Sequence, residues 1–521
     1  MPGRQIIQEE SRKSMGGLFD KQSGHPLADK RELQRIIGEL PADNAFKALD
    51  EIGIWLDSLL AGGDLPPDRS FDAARQLADA AAPHLRRLAH EYLHTPRLSR
   101  AEESRLWSIH SGFWSSFADV LERALITFIS RKPTAEQARQ MLPALCTYLI
   151  GALRTLVKWE QFRYGPPPKE VWRRLGQALL ATEAVGVSAQ PVATGVLLGN
   201  TSALTEYRKA VIFQAASMDS LLPMEIELAE CFVSHFLASF DFLDTAEHDC
   251  VYWLDLRVGQ PPQRLAKMPE QLTPTQRFYR PGAGHGKILA VLRDLERGGD
   301  VPPEINLGGQ YPVKTLLPVL RHLCAYLAPV PPQRRHDRHR VRHQMQVLHG
   351  LVNSFVVFSK EFGGQSLGLQ PDSWQVDNVS RGGFGVVLNE PPKDWLRVGA
   401  LLALQPAGGE NWLLGCVRRF YRGVNSESRI GIQTLSRQVE AAELTPLRQG
   451  ETTGAGAVPI LILLEGNLPG EVRLVMPPHT FDSRERFEYT LQGQAVIFES
   501  LLLLEHNSDY EIARYRLLPA A

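Results

Sequence analysis

The chain has 521 residues, 44% hydrophobic and 22% charged, with 57 Lys and Arg against 58 Asp and Glu and a formal net charge of −1. This is a globular composition with length for two to four domains. The balanced charge excludes an overall field drawing the chain onto nucleic acid or an anionic membrane, so any attraction for an anion must be local.

Residues 1–30 are polar and offer little to bury, which predicts a disordered tail. The N-terminus MPGRQIIQEESRKSMGG lacks the apolar core of a secretory signal, and the longest apolar stretch, around Leu142–Leu153, is too short to cross a bilayer. Cys146, Cys231, Cys250, Cys324 and Cys416 form no CxxC pair, so neither a disulfide framework nor a Cys-rich zinc site is expected. Together these features predict a cytoplasmic protein with no membrane insertion and no metal.

From 31 to 328 the spacing of apolar residues predicts an all-α domain. ADNAFKALDEIGIWLDSLLAG, SFDAARQLADAAAPHLRRLAHEYL, SRAEESRLWSIHSGFWSSFADVLERALITFI and AEQARQMLPALCTYLIGALRTLVKW each repeat at three and four residues, with Asp, Ser or Pro near their starts. Their Leu, Trp and Phe stripes read as core. HDCVYWLDLRVGQPPQRL (248–265) interrupts the pattern as a short strand or hairpin, and helices resume at HGKILAVLRDLERG and PVKTLLPVLRHLCAYL.

Two stretches here imitate catalytic motifs. HEYLH (90–94) matches HExxH, which on a helix would turn His90 and His94 to one side for zinc with Glu91 as general base. Thr95-Pro96-Arg97 then replaces the metzincin continuation, and nothing in the pattern supports Glu102 or Glu103 as a third ligand. A zinc metallopeptidase is therefore the least favoured alternative. PGAGHGK (281–287) has the wrong glycine spacing for a phosphate loop and Ile288 where Ser or Thr is needed, so it reads as a turn before a helix. No catalytic residues and no enzymatic activity are expected.

APVPP (328–332) cannot continue a helix and marks a linker. Beyond it WQVDNV, GVVLNE, WLRVGALLALQP, WLLGCVRRFYRG and SRIGIQTLSR alternate apolar and polar residues between Gly, Pro and Asn turns, predicting an antiparallel barrel or sandwich over 329–440. After RQGETTGAGAVP the runs PILILLEG, EVRLVMPP, ERFEYTLQ and AVIFESLLLLE predict that 441–521 is a further β domain or an extension of the first. The fold class is thus multidomain α + β: helical domain first, antiparallel barrel next, β-rich tail last.

The linker runs into a basic arm, RRHDRHRVRH (334–343), and WQVDNVSRGGFGVVL (374–388) joins two strands through a polar, glycine-containing turn. Arginine suits an anionic nucleotide because its planar fork donates paired hydrogen bonds to phosphate or to guanine O6 and N7. Arg334 and Arg338 form RxxxR, with Arg335 doubling the first, and Asn378, Ser380 and Gly383 form [D/N]xSxxG. This pair of signatures resembles PilZ domains, bacterial receptors for cyclic di-GMP, over roughly 329–440. Arg338 and Arg342 satisfy the same arm spacing, and Asp377 precedes Asn378, so both registers stay open. The separation of arm and turn implies an insertion within QMQVLHGLVNSFVVFSKEFGGQSLGLQ.

The resemblance implies a cyclic di-GMP site at Arg334, Arg335, Arg338, Asn378, Ser380, Gly382 and Gly383. Asn378 would meet a guanine edge and Ser380 the ligand or the turn. Gly382 and Gly383 would let the backbone approach and adopt positive φ. The expected protein is a bacterial cyclic di-GMP receptor with no other cofactor. In it the dinucleotide orders the arm and resets the helical domain relative to the barrel, to control an unidentified protein partner. A PilZ-like adaptor without ligand binding is the alternative.

Overall fold

The computed structural model describes residues 25–62, 65–95, 98–167, 170–269, 271–333, 336–359, 369–390, 393–423, 427–444, 457–484, 486–491, 494–507 and 509–519. Two compact units emerge. The first comprises residues up to Arg163 with Pro167–Ser217 and Pro223–Pro331; the second comprises Pro332 onward with Tyr164–Pro166 and Met218–Leu222.

The first unit begins earlier than its composition suggests. The predicted tail lies outside the described residues as far as 24, but Leu27 is 3% exposed and the Asp29 carboxylate caps helix Lys30–Gly38 by accepting from the Arg31 and Glu32 amides. Three long helices follow, Pro67–His94, Arg100–Ser130 and Ala135–Phe162. Ser99 with Glu102, and Thr134 with Gln137, form capping boxes that satisfy orphan amides at two of their starts. Helix Ala135–Phe162 is apolar nearly all round, which suits the centre of a helical domain. By length and composition it could cross a membrane, contrary to the reading of Leu142–Leu153 as too short, yet 78% of its apolar window is buried inside the fold.

The interruption after the helices is a four-stranded antiparallel sheet in the order β3-β6-β4-β5, with β3 Asp241–Leu243, β4 Tyr252–Asp255, β5 Gln263–Arg264 and β6 Gln276–Arg280. A two-residue ladder, β1 Val192–Ala193 with β2 Asn200–Thr201, precedes it. PGAGHGK leads into helix Gly284–Glu296, as a turn should, and Lys287 Nζ donates to Ser239 Oγ at 2.8 Å.

In the second unit, β7 His339–His349, β8 Asp372–Ser380, β9 Gly383–Leu388, β10 Leu401–Pro406, β11 Leu413–Arg422 and β12 Ser428–Ser436 close an antiparallel barrel in the order β10-β11-β12-β9-β8-β7. Its interior is filled by Met345, Val347, Trp374, Val376, Val386, Leu402, Leu404, Val417, Phe420, Ile430 and Ile432. Helix Leu351–Phe358 lies between β7 and β8, inside the stretch expected to hold an insertion.

The tail forms a six-stranded sheet, β13-β14-β15-β18-β17-β16: β13 Val439–Leu444, β14 Val458–Leu463, β15 Glu471–Met476, β16 Arg486–Leu491, β17 Gln494–His506, β18 Glu511–Pro519. It has its own core around Phe487, Phe498 and Tyr515. A further apolar layer joins it to the barrel: Leu401, Leu414, Cys416 and Leu435 meet Leu461, Leu463, Val475, Tyr510 and Ile512. The Arg418 fork grips Glu505 at 2.9 and 2.5 Å across the same junction.

Candidate ligand-binding site

Four barrel strands build an outward-facing trough from their register. Asn378 on β8 faces Gly385 on β9, Gly385 faces Gly431 on β12, and Gly431 faces Arg419 on β11. One step along, Val387, Arg429 and Tyr421 form a parallel row. The two glycines in the middle of the first row carry no side chains of their own, and the Asn378 amide lies over Gly385 and the Arg419 stem over Gly431. The resulting cavity is about 430 Å³, within the range of small-molecule sites, and Pro332, Gln333, Arg338, Asp377 and Asp219 complete its lining.

A β-bulge decides which acidic or amide group faces this trough. Val376 pairs with Val386 and Asn378 with Gly385, so Asp377 is the extra residue; toward β7, Arg340 pairs with Asn378 and His343 with Val376. In a regular strand Asp377 and Asn378 would point to opposite faces. With the bulge both line the cavity, and Asn378 Nδ2 donates to Asp377 Oδ2 at 3.0 Å. The one-residue ambiguity in the motif therefore has a physical answer, because both residues share the site.

The predicted residues divide into three groups. Arg338 and Asn378 come together on the trough. Ser380 and Gly383 belong to the turn: the Ser380 hydroxyl donates to the Gly383 carbonyl at 3.3 Å, and a Cβ on Gly383 would lie 1.9 Å from the Ile432 carbonyl oxygen. Gly383, at φ +153°, is thus required by strand approach rather than by a ligand. Gly382 is exposed and does not adopt the expected positive φ; its nearest neighbour is the His336 ring, 3.4 Å from where a Cβ would stand. Arg334 and Arg335 lie outside the described residues. Gly383→Ala is expected to lower unfolding free energy by about 1–3 kcal/mol, the range for overpacking a filled site, in a denaturant titration.

The arm also differs from its expected form. Residues 339–343 are not a free basic segment but the first half of β7, paired with β8. Val341, Met345 and Val347 recur at even spacing toward the barrel core, and that alternation outweighs the like charges between them.

Sequence reading missed Gly385, Arg419, Tyr421, Arg429, Gly431 and Asp219. A Cβ on Gly385 would fall 2.4 Å from Asn378 Nδ2, so this glycine makes room for the amide. Arg419 and Tyr421 were findable by alternation, since they flank buried Phe420. Asp219 had no signal, being more than a hundred residues away in sequence. Burial pushes the Asp219 carboxyl up while Arg419, at 3.6 Å, pulls it down. The Glu427 carboxylate, 2.7 Å from Arg429 Nε, raises that guanidinium further above its ordinary value.

The competing zinc motif is not assembled. His90 and His94 stack on each other at 4.1 Å, and burial followed by the neighbouring His90 lowers the pKa of His94. Both suggested third ligands are engaged, Glu102 in the Ser99 capping box and Glu103 by the Tyr92 hydroxyl at 3.0 Å and Arg163 at 3.2 Å. Elsewhere His479, His506 and Glu511 place ligand atoms within 4.8 Å of one another. Glu511, however, already accepts from His506 Nδ1 at 2.6 Å and from the Thr480 and Phe481 amides at 3.1 and 2.9 Å. All five cysteines are free thiols.

Residues 31–246 match a family model described as "Cyclic-di-GMP receptor FimW, N-terminal domain". The match covers the larger part of the helical region, for which the sequence suggests no family, and ends before β4, the helices Gly284–Glu296 and Val313–Tyr326, and the barrel. No curated protein matches the chain.

Proposed function

We propose that this protein is a cyclic di-GMP receptor that binds the dinucleotide in the trough of its barrel. The observation that carries the reading is the convergence of Arg338, Asn378 and Arg419 on one cavity, with Asp377 beside them. Support from an independent part of the chain comes from the family match over 31–246.

Each group has a task that the ligand's chemistry requires. Arginine forks bind phosphate oxygens or the guanine O6 and N7 edge. The Asp377 carboxylate and Asn378 amide oxygen accept from the guanine N1–H and exocyclic amine. Tyr421, 42% exposed on the trough wall, offers a ring on which a base can stack. Gly385 and Gly431 let the Asn378 amide and the Arg419 stem lie close to the sheet, from where they reach the ligand. The motif alone adds Arg334 and Arg335.

In this reading the dinucleotide recruits the segment that leads from the helical unit into β7. Binding thereby resets the helical unit relative to the barrel and exposes or hides a protein partner's surface. The protein acts in the cytoplasm, where the nucleotide is made, and does no chemistry on it.

Isothermal titration of the full chain with cyclic di-GMP tests the proposal. The wild type is expected to bind, Arg338→Ala and Arg419→Ala to weaken binding by about 10- to 100-fold each, the value of a hydrogen bond involving a charged partner, and Asn378→Ala by about 2- to 10-fold, the value of a neutral one. Absence of wild-type binding at tens of micromolar ligand rejects the receptor reading. Binding that survives intact in all three variants moves the site elsewhere.

A further inference from the structure

The helical unit contains a second cavity, about 470 Å³, between helices Val171–Glu183 and Ala203–Ala215 and the sheet β3-β6-β4. Its floor is an aromatic row set by strand register. Phe242 pairs with Tyr279 and Tyr279 with Tyr252, and the flanking ring centroids lie 5.6 and 5.9 Å from that of Tyr279. Such a surface takes a flat apolar body.

Two polar groups in this lining are left over. Tyr279 is 2% exposed, and its hydroxyl is buried without a hydrogen-bond partner among the described residues. Arg208 Nε is likewise buried and unpartnered, while the guanidinium lies 4.8 Å from the Phe242 ring centroid. Folded proteins rarely leave such groups unsatisfied, and two of them lining one cavity call for a water, an ion or a ligand to meet them. The neighbouring cation is already neutralised: Arg277 reaches Glu183 at 2.6 Å and Asp244 at 3.2 Å. Burial lowers the Arg208 pKa against the pull of Asp244, so an anion placed beside it would be welcome.

We propose that this cavity binds a small aromatic carboxylate, its ring on Phe242, Tyr279 and Tyr252 and its oxygens accepting from Arg208 Nε and the Tyr279 hydroxyl. A singly charged, two-oxygen head matches the two unused donors and the single cation without a carboxylate partner in an ion pair. A phosphate would bring a second charge and a third oxygen into a cavity whose other arginine is spoken for.

The test uses 2-naphthoate and its neutral analogue 2-naphthalenemethanol, titrated calorimetrically into the full chain. Saturable binding of the acid below about 1 mM is expected, with the alcohol at least about tenfold weaker because a charge-assisted bond is lost. Arg208→Gln should erase the preference. Tyr279→Phe, which keeps the ring packing and removes only the hydroxyl, should weaken the acid about fivefold, the value of one hydrogen bond. Failure of the acid to bind, equal affinity of acid and alcohol, or an undiminished preference in folded Tyr279→Phe and Arg208→Gln overturns the assignment.

Discussion

Gly385→Val is expected to abolish cyclic di-GMP binding, by at least about 100-fold, while leaving the barrel folded. The glycine sits in a strand without positive φ, and the first atom of any side chain there meets the Asn378 amide at 2.4 Å rather than backbone. A valine would swing that amide off the trough and put methyl groups in its place. Because the displaced atoms end a flexible side chain, and β-branched residues suit strands, the cost to folding is small. Calorimetric titration together with a thermal melt checks both halves. Retained binding by a folded variant would place the ligand away from this row. Gly383 forms the contrast, since its Cβ would strike the Ile432 carbonyl and damage the barrel itself.

The second large effect belongs to the helical unit. Glu206 is fully buried, with its carboxylate 2.7 Å from Arg154 Nε, 2.8 Å from Lys209 Nζ and 2.8 Å from the Thr201 hydroxyl. Burial would raise its pKa, but Arg154, Lys209 and the hydrogen bonds hold it down to about 2. Glu206→Gln removes the charge while keeping the shape, and leaves Lys209 facing a neutral amide in a buried site. Breaking a buried pair costs about 3–5 kcal/mol, and the lower end applies because Arg154 retains Glu230.

The sign of the pH dependence follows from the depressed pKa. An unfolded carboxylate near 4.5 takes up its proton before the folded one does, so the contribution of Glu206 is complete above about pH 4.5. It is lost as the pH falls through about 2. The stability gap between wild type and Glu206→Gln, measured by chemical denaturation at a series of pH values, should therefore be constant near neutrality and shrink below pH 4.5. A gap that stays level down to pH 3 would show that the charge is not what stabilises this cluster.

Strands β8, β9, β11 and β12 were legible because Trp374, Val376, Val386, Phe420, Ile430 and Ile432 alternate with polar residues between glycine turns. β7 was not, since its first half reads as arginine and histidine; only pairing with β8 and β10 turns it into a barrel stave. β13 and β18 were missed as well. Glu440 and Glu443 interrupt the apolar pattern of the first, and the second is specified by pairing with β15 and β17 as much as by its own side chains.

Local chemistry in the chain determined the helices with their capping boxes, the proline boundary, and the polar turn that carries Asn378, Ser380 and Gly383. Those features are written in neighbours a few residues apart, so a local reading finds them even though packing stabilises them. Tertiary structure alone decided that Asp377 shares a face with Asn378, that Gly385 makes room for the Asn378 amide, and that Arg419, Tyr421 and Asp219 join Arg338 around one cavity. Each of these rests on strand register or on contact between distant segments. A bulge of one residue is enough to turn a side chain from one face of a strand to the other.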